Sequence, residues 1–273
     1  MSWAKKLYMN FIVLLSWILP KAGARRAQKI FLTPTRVPRP ASEADFYNSA
    51  KKYQFPHGIA AFEWGETQNP AVLLVHGWSG RGTQIGAFAA PLVKAGFRVI
   101  AIDGPAHGAS DGQMTNVGEF ANALMAVQKN IGPLHALIAH SFGAGCSIVA
   151  IQRGLQVKKA VLIAGPARYE RVLANFFKLL PISPQAQEYF IVELQKKVGI
   201  HVKDLNVGHL GKSLPIEAMI VHDTEDKEVR FQSALEIQEV WPQAKLLRTE
   251  GLGHRRILRD PEVLRAVTEF IKS

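Results

Sequence analysis

Three polar side chains sit in sequence settings that suit acyl-transfer chemistry. Ser141 lies in Ala139-His140-Ser141-Phe142-Gly143, directly after the apolar run 134–140 (LHALIAH) and at the start of a helix-like stretch, 142–153. Gly143, Ala144, Gly145 and Cys146 are all small, as a sharp strand-to-helix turn requires where two backbones approach closely. Such a turn lifts the hydroxyl above a sheet and beside a helix N-terminus, whose N–H groups stabilise developing negative charge. A serine hydroxyl is a poor nucleophile until a base takes its proton, and the base works best when a third group orients it. Candidates for both follow in the chain. The segment 222–229 (HDTEDKEV) offers Asp223, Glu225 and Asp226, and Glu250-Gly251-Leu252-Gly253-His254 ends in the one histidine beyond that segment. Its glycines leave the imidazole free to reach across to Ser141.

Positioning these residues takes a sheet. Near-continuous apolar runs recur at 71–76 (AVLLVH), 98–103 (RVIAID), 134–140, 159–164 (KAVLIA) and 216–222 (IEAMIVH). They do not alternate, which is how strands buried on both faces read. Helix-length stretches such as 84–95, 117–130 and 142–153 separate them, so the expected class is α/β, a doubly wound and mostly parallel sheet. Residues 58–64 are hairpin-like and expected to add an antiparallel edge strand. Sheets of this class bind ligands beyond the carboxyl ends of their strands. Each polar or glycine-rich cluster falls there: His76-Gly77-Trp78, 103–108 (DGPAHG), the Ser141 turn and the acid segment. His140, beside the serine, is expected to point into helix packing.

These motifs, in this order over roughly residues 58–273, resemble the α/β-hydrolase superfamily in its lipase, esterase and thioesterase branches. The turn reads A-x-S-x-G where G-x-S-x-G is usual, and alanine is nearly as small. The segment 222–229 resembles the family's H-G-x-x-D-x-x-V loop with Asp223 in place of glycine. The resemblance therefore implies Asp226 as the acid, with Asp223 and Glu225 one short slip away. The 250–254 segment resembles the G-x-G-H loop, which implies His254 as the general base. His76-Gly77-Trp78-Ser79-Gly80 resembles the H-G-x loop and implies the backbone N–H groups of Trp78 and Phe142 as the oxyanion hole. Gly77 would permit close approach of substrate. Residues 103–110 (DGPAHGAS) resemble the D-x-x-G-H-G-x-S loop, whose role is mainly structural.

The implied architecture is an α/β-hydrolase fold with a small helical cap at about 168–215. Cap residues Tyr169, Phe176, Phe177, Leu179, Leu180, Tyr189 and Phe190 either line an acyl pocket with Trp78 and Phe142 or pack the cap onto the core. The implied activity is hydrolysis of a small acyl ester or thioester, with no metal or cofactor. Ser141 in place of an aspartate disfavours dehalogenase chemistry, whereas a cofactor-free oxygenase or peroxidase would keep the same three residues. The rival from another class is a hydrolase-fold ligand-binding or signalling protein at a membrane surface, with little turnover.

The chain of 273 residues suits one large domain, expected over 41–273. Its single cysteine, Cys146, excludes an intrachain disulfide. The net charge of +11 is concentrated: residues 1–39 hold eight Lys and Arg and no acid, and the rest is nearly neutral. That distribution, without zinc-finger spacing or aromatic ribonucleoprotein motifs, argues against nucleic-acid binding. Residues 7–19 (LYMNFIVLLSWIL) form an apolar run well short of the roughly 20 residues a span needs. Three readings stand for it: the core of a cleaved export signal, a membrane-surface anchor within residues 1–30 that holds a cytoplasmic protein to the inner face, or a helix packed on the body or a partner. Lys21 and Arg25-Arg26 sit awkwardly for export. Residues 33–40, rich in proline, are expected as an extended linker. The sequence does not specify an oligomeric state.

Overall fold

The computed structural model describes residues 3–273. The chain opens with two helices, α1 (Trp3–Ile18) and α2 (Pro20–Leu32), and a short α3 (Ala44–Ser49). An eight-stranded sheet follows: β1 (Lys51–Phe55), β2 (Ile59–Trp64), β3 (Ala71–Val75), β4 (Arg98–Ile102), β5 (Leu134–His140), β6 (Val157–Ile163), β7 (Glu217–Asp223) and β8 (Lys245–Thr249). The order across the sheet is β1-β2-β4-β3-β5-β6-β7-β8. The last six strands of the chain are mutually parallel, and β1 and β2 are antiparallel to their neighbours. The sheet is thus the mostly parallel one expected.

The strands sit between two helical layers. On β3, Val72 and Leu74 pack with one layer while Leu73 and Val75 pack with the other. The first layer holds α4 (Ala89–Lys94) and the C-terminal α12 (Pro261–Lys272). The second holds α5 (Val117–Ile131), α6 (Phe142–Gln152) and α10 (Gln232–Val240). Between β6 and β7 the cap comprises α7 (Tyr169–Leu179), α8 (Pro184–Val198) and α9 (Val207–Gly211), and a single turn, α11 (Gly253–Arg256), follows β8. Chain order reverses at β3, which is flanked by β4 and β5, and the loops leaving those two strands and β3 converge at one end.

One expectation needs correction. Residues 59–64 do form an antiparallel strand, but it is not the edge. β1 lies outside it, paired from Lys51 with Glu63 to Phe55 with Ile59. Its sequence, KKYQF, lacks the apolar run of the buried strands because an edge strand meets solvent and carries charge.

The N-terminal segment is folded onto the body. Pro20 separates the two helices: it has no N–H to continue α1, and its fixed φ suits the first turn of α2. Gly23 lets them meet, since a Cβ there would collide with the Ser16 backbone. Two polar residues in this apolar region fix the docking. Ser16 accepts from Ser183 N–H at 2.8 Å and, through its carbonyl, from the Ser183 hydroxyl at 2.6 Å. Gln28 donates to the Phe190 carbonyl at 2.7 Å and accepts from Lys197 at 3.0 Å. Ile12, Ala24, Ala27 and Leu32 join the same core as the cap. Residues 33–40 form neither helix nor strand, yet Arg36 ties them down by donating to the carbonyls of Ala106, Ser110 and Gly112. No helix among the described residues is long and apolar enough to cross a membrane.

Candidate active site

Ser141 sits between β5 and α6 with φ 52° and ψ −120°, a region L-residues rarely occupy. Backbone bonds hold it there: its N–H donates to the Ile163 carbonyl at 2.8 Å, and its carbonyl accepts from Ala144 N–H at 3.0 Å. The turn is also sterically fixed. A Cβ on Gly143 would strike the His76 carbonyl, and one on Gly77 would lie 3.0 Å from the Ser141 Cβ. The loop after β3 and the start of α6 are therefore in contact. Ala139 is fully buried in β5 and leaves the turn intact.

The acid segment distinguishes its three carboxylates. Asp226 accepts from His254 Nδ1–H at 2.7 Å through Oδ2, and from the N–H groups of Glu228 and Val229 at 2.8 and 2.9 Å through Oδ1. Burial by itself would raise this carboxyl. The His222 imidazole beside it and the hydrogen bonds from His254 and Val229 N–H outweigh that and hold Asp226 well below the usual carboxylate range. Asp223 faces another way: it accepts from Thr249 Oγ1, Leu252 N–H and Glu225 N–H, and so fastens the loop after β8 to β7. Glu225 is exposed. With Nδ1 turned to Asp226, the other ring nitrogen of His254, Nε2, is left facing the cavity side of the loop, 3.9 Å from Glu228 Oε2.

Other histidines brace this arrangement. His76 Nε2 accepts from Gly104 N–H at 2.9 Å, so its Nδ1–H donates to the Gly77 carbonyl at 2.6 Å and pins the loop beneath Trp78. His222 Nε2–H donates to the Val229 carbonyl at 2.8 Å and lies 3.5 Å from Asp226. His140 does not point into helix packing. Its ring lies 4.6 Å from that of His254, and its Nε2–H donates to the His254 carbonyl at 2.9 Å. A buried imidazole N–H needs a partner, and the loop after β8 supplies one. Burial pushes His76 down to about 4, and burial plus the nearby His254 pushes His140 down to about 3. His107 is likewise buried and held down to about 3. Asp103 accepts from Gly82 and Ala109 N–H at 2.6 and 2.7 Å, so the 103–110 loop is a brace.

Ser141 and His254 open onto one cavity of about 380 Å³. No hydrogen bond joins Ser141 to His254, a separation common before substrate binds. Trp78 and Phe142 line it, their rings 5.1 Å apart and edge to face. Neither backbone N–H donates to a protein group among the described residues. Of the expected cap residues, Tyr169, Phe176 and Leu179 reach the cavity. Leu180 and Phe190 are buried in the core, Tyr189 packs against it, and Phe177 faces a separate surface depression. Two contributors went unread in the sequence. Ile30, Phe31 and Leu32 at the end of α2 form part of the wall, with Phe31 set edge to face against Phe176 and Phe190. Glu228 also lines the cavity, its Oε2 3.9 Å from His254 Nε2 and its Oε1 3.1 Å from Arg255. Neither carried a signal: apolar residues at helical spacing read as core, and Glu228 fills a variable position of its loop.

A strained serine at a strand-to-helix turn, with a carboxylate-bound histidine across a capped cavity, defines the class of α/β-hydrolase folds. A family model described as "Alpha/beta hydrolase family" matches residues 72–200. The chain has the α/β-hydrolase fold, and the family's model matches a little under half of it. No curated protein matches it in sequence. Among solved structures, an esterase of Pyrococcus furiosus is 21% identical with a TM-score of 0.63, covering 88% of this chain and 97% of its own. A bromoperoxidase of Bacillus anthracis is 17% identical with a TM-score of 0.64, covering 82% of this chain and 100% of its own. The thioesterase domain from the curacin biosynthetic pathway is 19% identical with a TM-score of 0.59, covering 82% and 98%. Likeness at this level establishes the fold and leaves the chemistry to the site.

Proposed function

We propose that this protein is a serine hydrolase that cleaves carboxylic esters or thioesters of apolar acyl groups through an acyl-enzyme on Ser141. The observation that carries this reading is the 2.7 Å bond from His254 Nδ1 to the buried Asp226, with His254 and Ser141 sharing one mostly apolar cavity. His254 Nε2 takes the Ser141 proton as Oγ attacks the acyl carbon, and Asp226 stabilises the imidazolium that forms. The N–H groups of Trp78 and Phe142 meet the tetrahedral oxyanion. His254 then returns the proton to the leaving alcohol or thiol, and a water activated by the same base releases the acid. The apolar wall selects for the acyl chain. Esterase and thioesterase among the structural neighbours are consistent with either leaving group.

A fluorophosphonate probe tests the reading directly. Expected is covalent labelling of the wild-type protein, lost in Ser141→Ala and His254→Ala, together with hydrolysis of p-nitrophenyl butyrate. A folded wild-type protein that neither labels nor hydrolyses overturns it in favour of a ligand-binding role.

A further inference from the structure

α1 buries only one of its sides. Ile12 and Ser16 face inward. At 3.6 residues per turn, Trp3, Leu7, Phe11, Leu14 and Ile18 fall on a single stripe on the outer side. All five are exposed, Leu14 to 61% and Ile18 to 67%, with Trp17 beside them at 64%. A continuous apolar stripe along a whole helix is uncommon on a protein that has no partner for it. The helix has 16 residues, about 24 Å at 1.5 Å per residue, so it suits lying along a surface better than crossing one.

The surroundings of the stripe say what covers it. Lys6, Lys21, Arg25, Arg26 and Lys29 are exposed on the two helices, and no acid occurs in residues 1–39. The Arg26 guanidinium lies 5.9 Å from the ring centroid of Phe11, at the edge of the stripe itself. Apolar residues rimmed by cations, with tryptophans at both ends, match the interface of a negatively charged bilayer. Two copies meeting through this stripe would bring the same positive rims together, which disfavours self-association.

The stripe is also tied to the cavity. α2 continues from α1 and ends in Ile30, Phe31 and Leu32, which line the cavity wall. Leu179, at the cavity and 74% exposed, precedes Ser183 by four residues, about 14 Å at full extension. Ser183 is bonded to Ser16 of α1. The apolar lip of the cavity is therefore linked by a short segment to the inner side of the helix that carries the stripe.

We propose that the outer face of α1 seats the protein on an anionic lipid surface, and that the cavity draws its acyl esters from that surface. The docking stands on its own; the source of substrate rests on the serine-hydrolase reading. The full-length protein floated with phosphatidylcholine vesicles, with and without a quarter phosphatidylglycerol, tests it. Expected is co-flotation with the anionic vesicles, weakening as salt rises. Leu7→Gln/Leu14→Gln and Arg25→Gln/Arg26→Gln should each lower binding at least tenfold, with far-UV circular dichroism and p-nitrophenyl butyrate hydrolysis unchanged. Hydrolysis of a long-chain ester embedded in the anionic vesicles should fall at least tenfold in the leucine variant. Wild-type protein that stays with the pellet, or a leucine variant that floats equally well, overturns the docking. So does a wild-type dimer in sedimentation that dissociates on Leu7→Gln/Leu14→Gln without any vesicle binding. Vesicle binding without probe labelling of Ser141 would retain the docking and remove the hydrolase.

Discussion

The two walls of the cavity are built on different principles. The sheet side is held from behind by directed bonds: Asp226 takes three, Asp103 and His76 each fasten two loops, and Asp223 ties β8's loop to β7. The cap side is apolar and held by ring contacts among Phe31, Tyr169, Phe176 and Phe190. Directed bonds fix atoms to within fractions of an ångström, which proton transfer needs. Ring packing fixes a volume and tolerates change, which suits a wall that selects by acyl size. Loss on the sheet side should therefore be steep, and loss on the cap side graded.

The steepest contrast separates two aspartates three residues apart. Asp226→Asn should lower kcat about 10⁴-fold, because an amide no longer holds His254 in the right tautomer. Asp223→Asn should leave kcat within about tenfold while lowering stability by about 1–3 kcal/mol, the usual cost of leaving buried donors poorly paired. Steady-state kinetics with thermal melts on both variants decide it. A reversal would exchange their roles.

The next effect belongs to the whole sheet side. His76, His107 and His140 ordinarily titrate near 6.5 and are held down to about 4, 3 and 3. The unfolded chain takes up these protons near pH 6.5 and the folded chain only well below it. Their contribution is thus complete above about pH 6.5 and is lost as pH falls towards 4, at up to about 1.4 kcal/mol per group per pH unit. Asp226, shifted down as a carboxylate, adds its own loss below about pH 4. Calorimetry should show Tm falling steadily from pH 6.5 to 4; a flat profile would mean the three rings are charged in the folded state.

The cap side should respond by substrate. Phe31→Ala removes one ring from the wall made by α2. Esters whose chains reach that wall should lose about tenfold in kcat/KM, as one to three kcal/mol of apolar contact implies, while acetyl esters keep theirs. An equal loss for both would place Phe31 in the support of the catalytic residues rather than in selection.

The same division governs what the sequence disclosed. Ser141, Gly77 and His254 drew attention because a tight turn, a close approach and a free imidazole each demand particular residue types at particular spacings. Asp226 stood out only through resemblance to a family loop; local chemistry left Asp223 and Glu225 equal to it, and in the fold its bond to His254 is what sets it apart. The wall supplied by α2 was illegible, since Phe31 at helical spacing looks the same whether it fills a core or lines a void. Ser16 and Gln28, polar residues in an apolar region, mark the docking of the N-terminal helices, but their partners Ser183 and Phe190 lie more than 160 positions away. β1 was hidden because edge strands lack the buried run. Sequence thus reports what chemistry constrains locally and is silent where distant surfaces meet.

The smallest effect probes where the two walls join. Glu228 follows Asp226 by two residues, and its Oε2 lies 3.9 Å from the opposite nitrogen of His254. A carboxylate there would favour the imidazolium, yet half of the side chain is solvated and Arg255 binds it at 3.1 Å. Exposed pairs of this kind contribute about 0–1 kcal/mol. Glu228→Gln should therefore lower kcat, by less than about fivefold, since tenfold corresponds to about 1.4 kcal/mol. Arg255→Gln, which frees the carboxylate to act on His254, should shift kcat in the opposite direction by a similar margin. A loss in Glu228→Gln on the scale expected for Asp226→Asn would move the acid's role across the histidine, from the buried carboxylate to the exposed one.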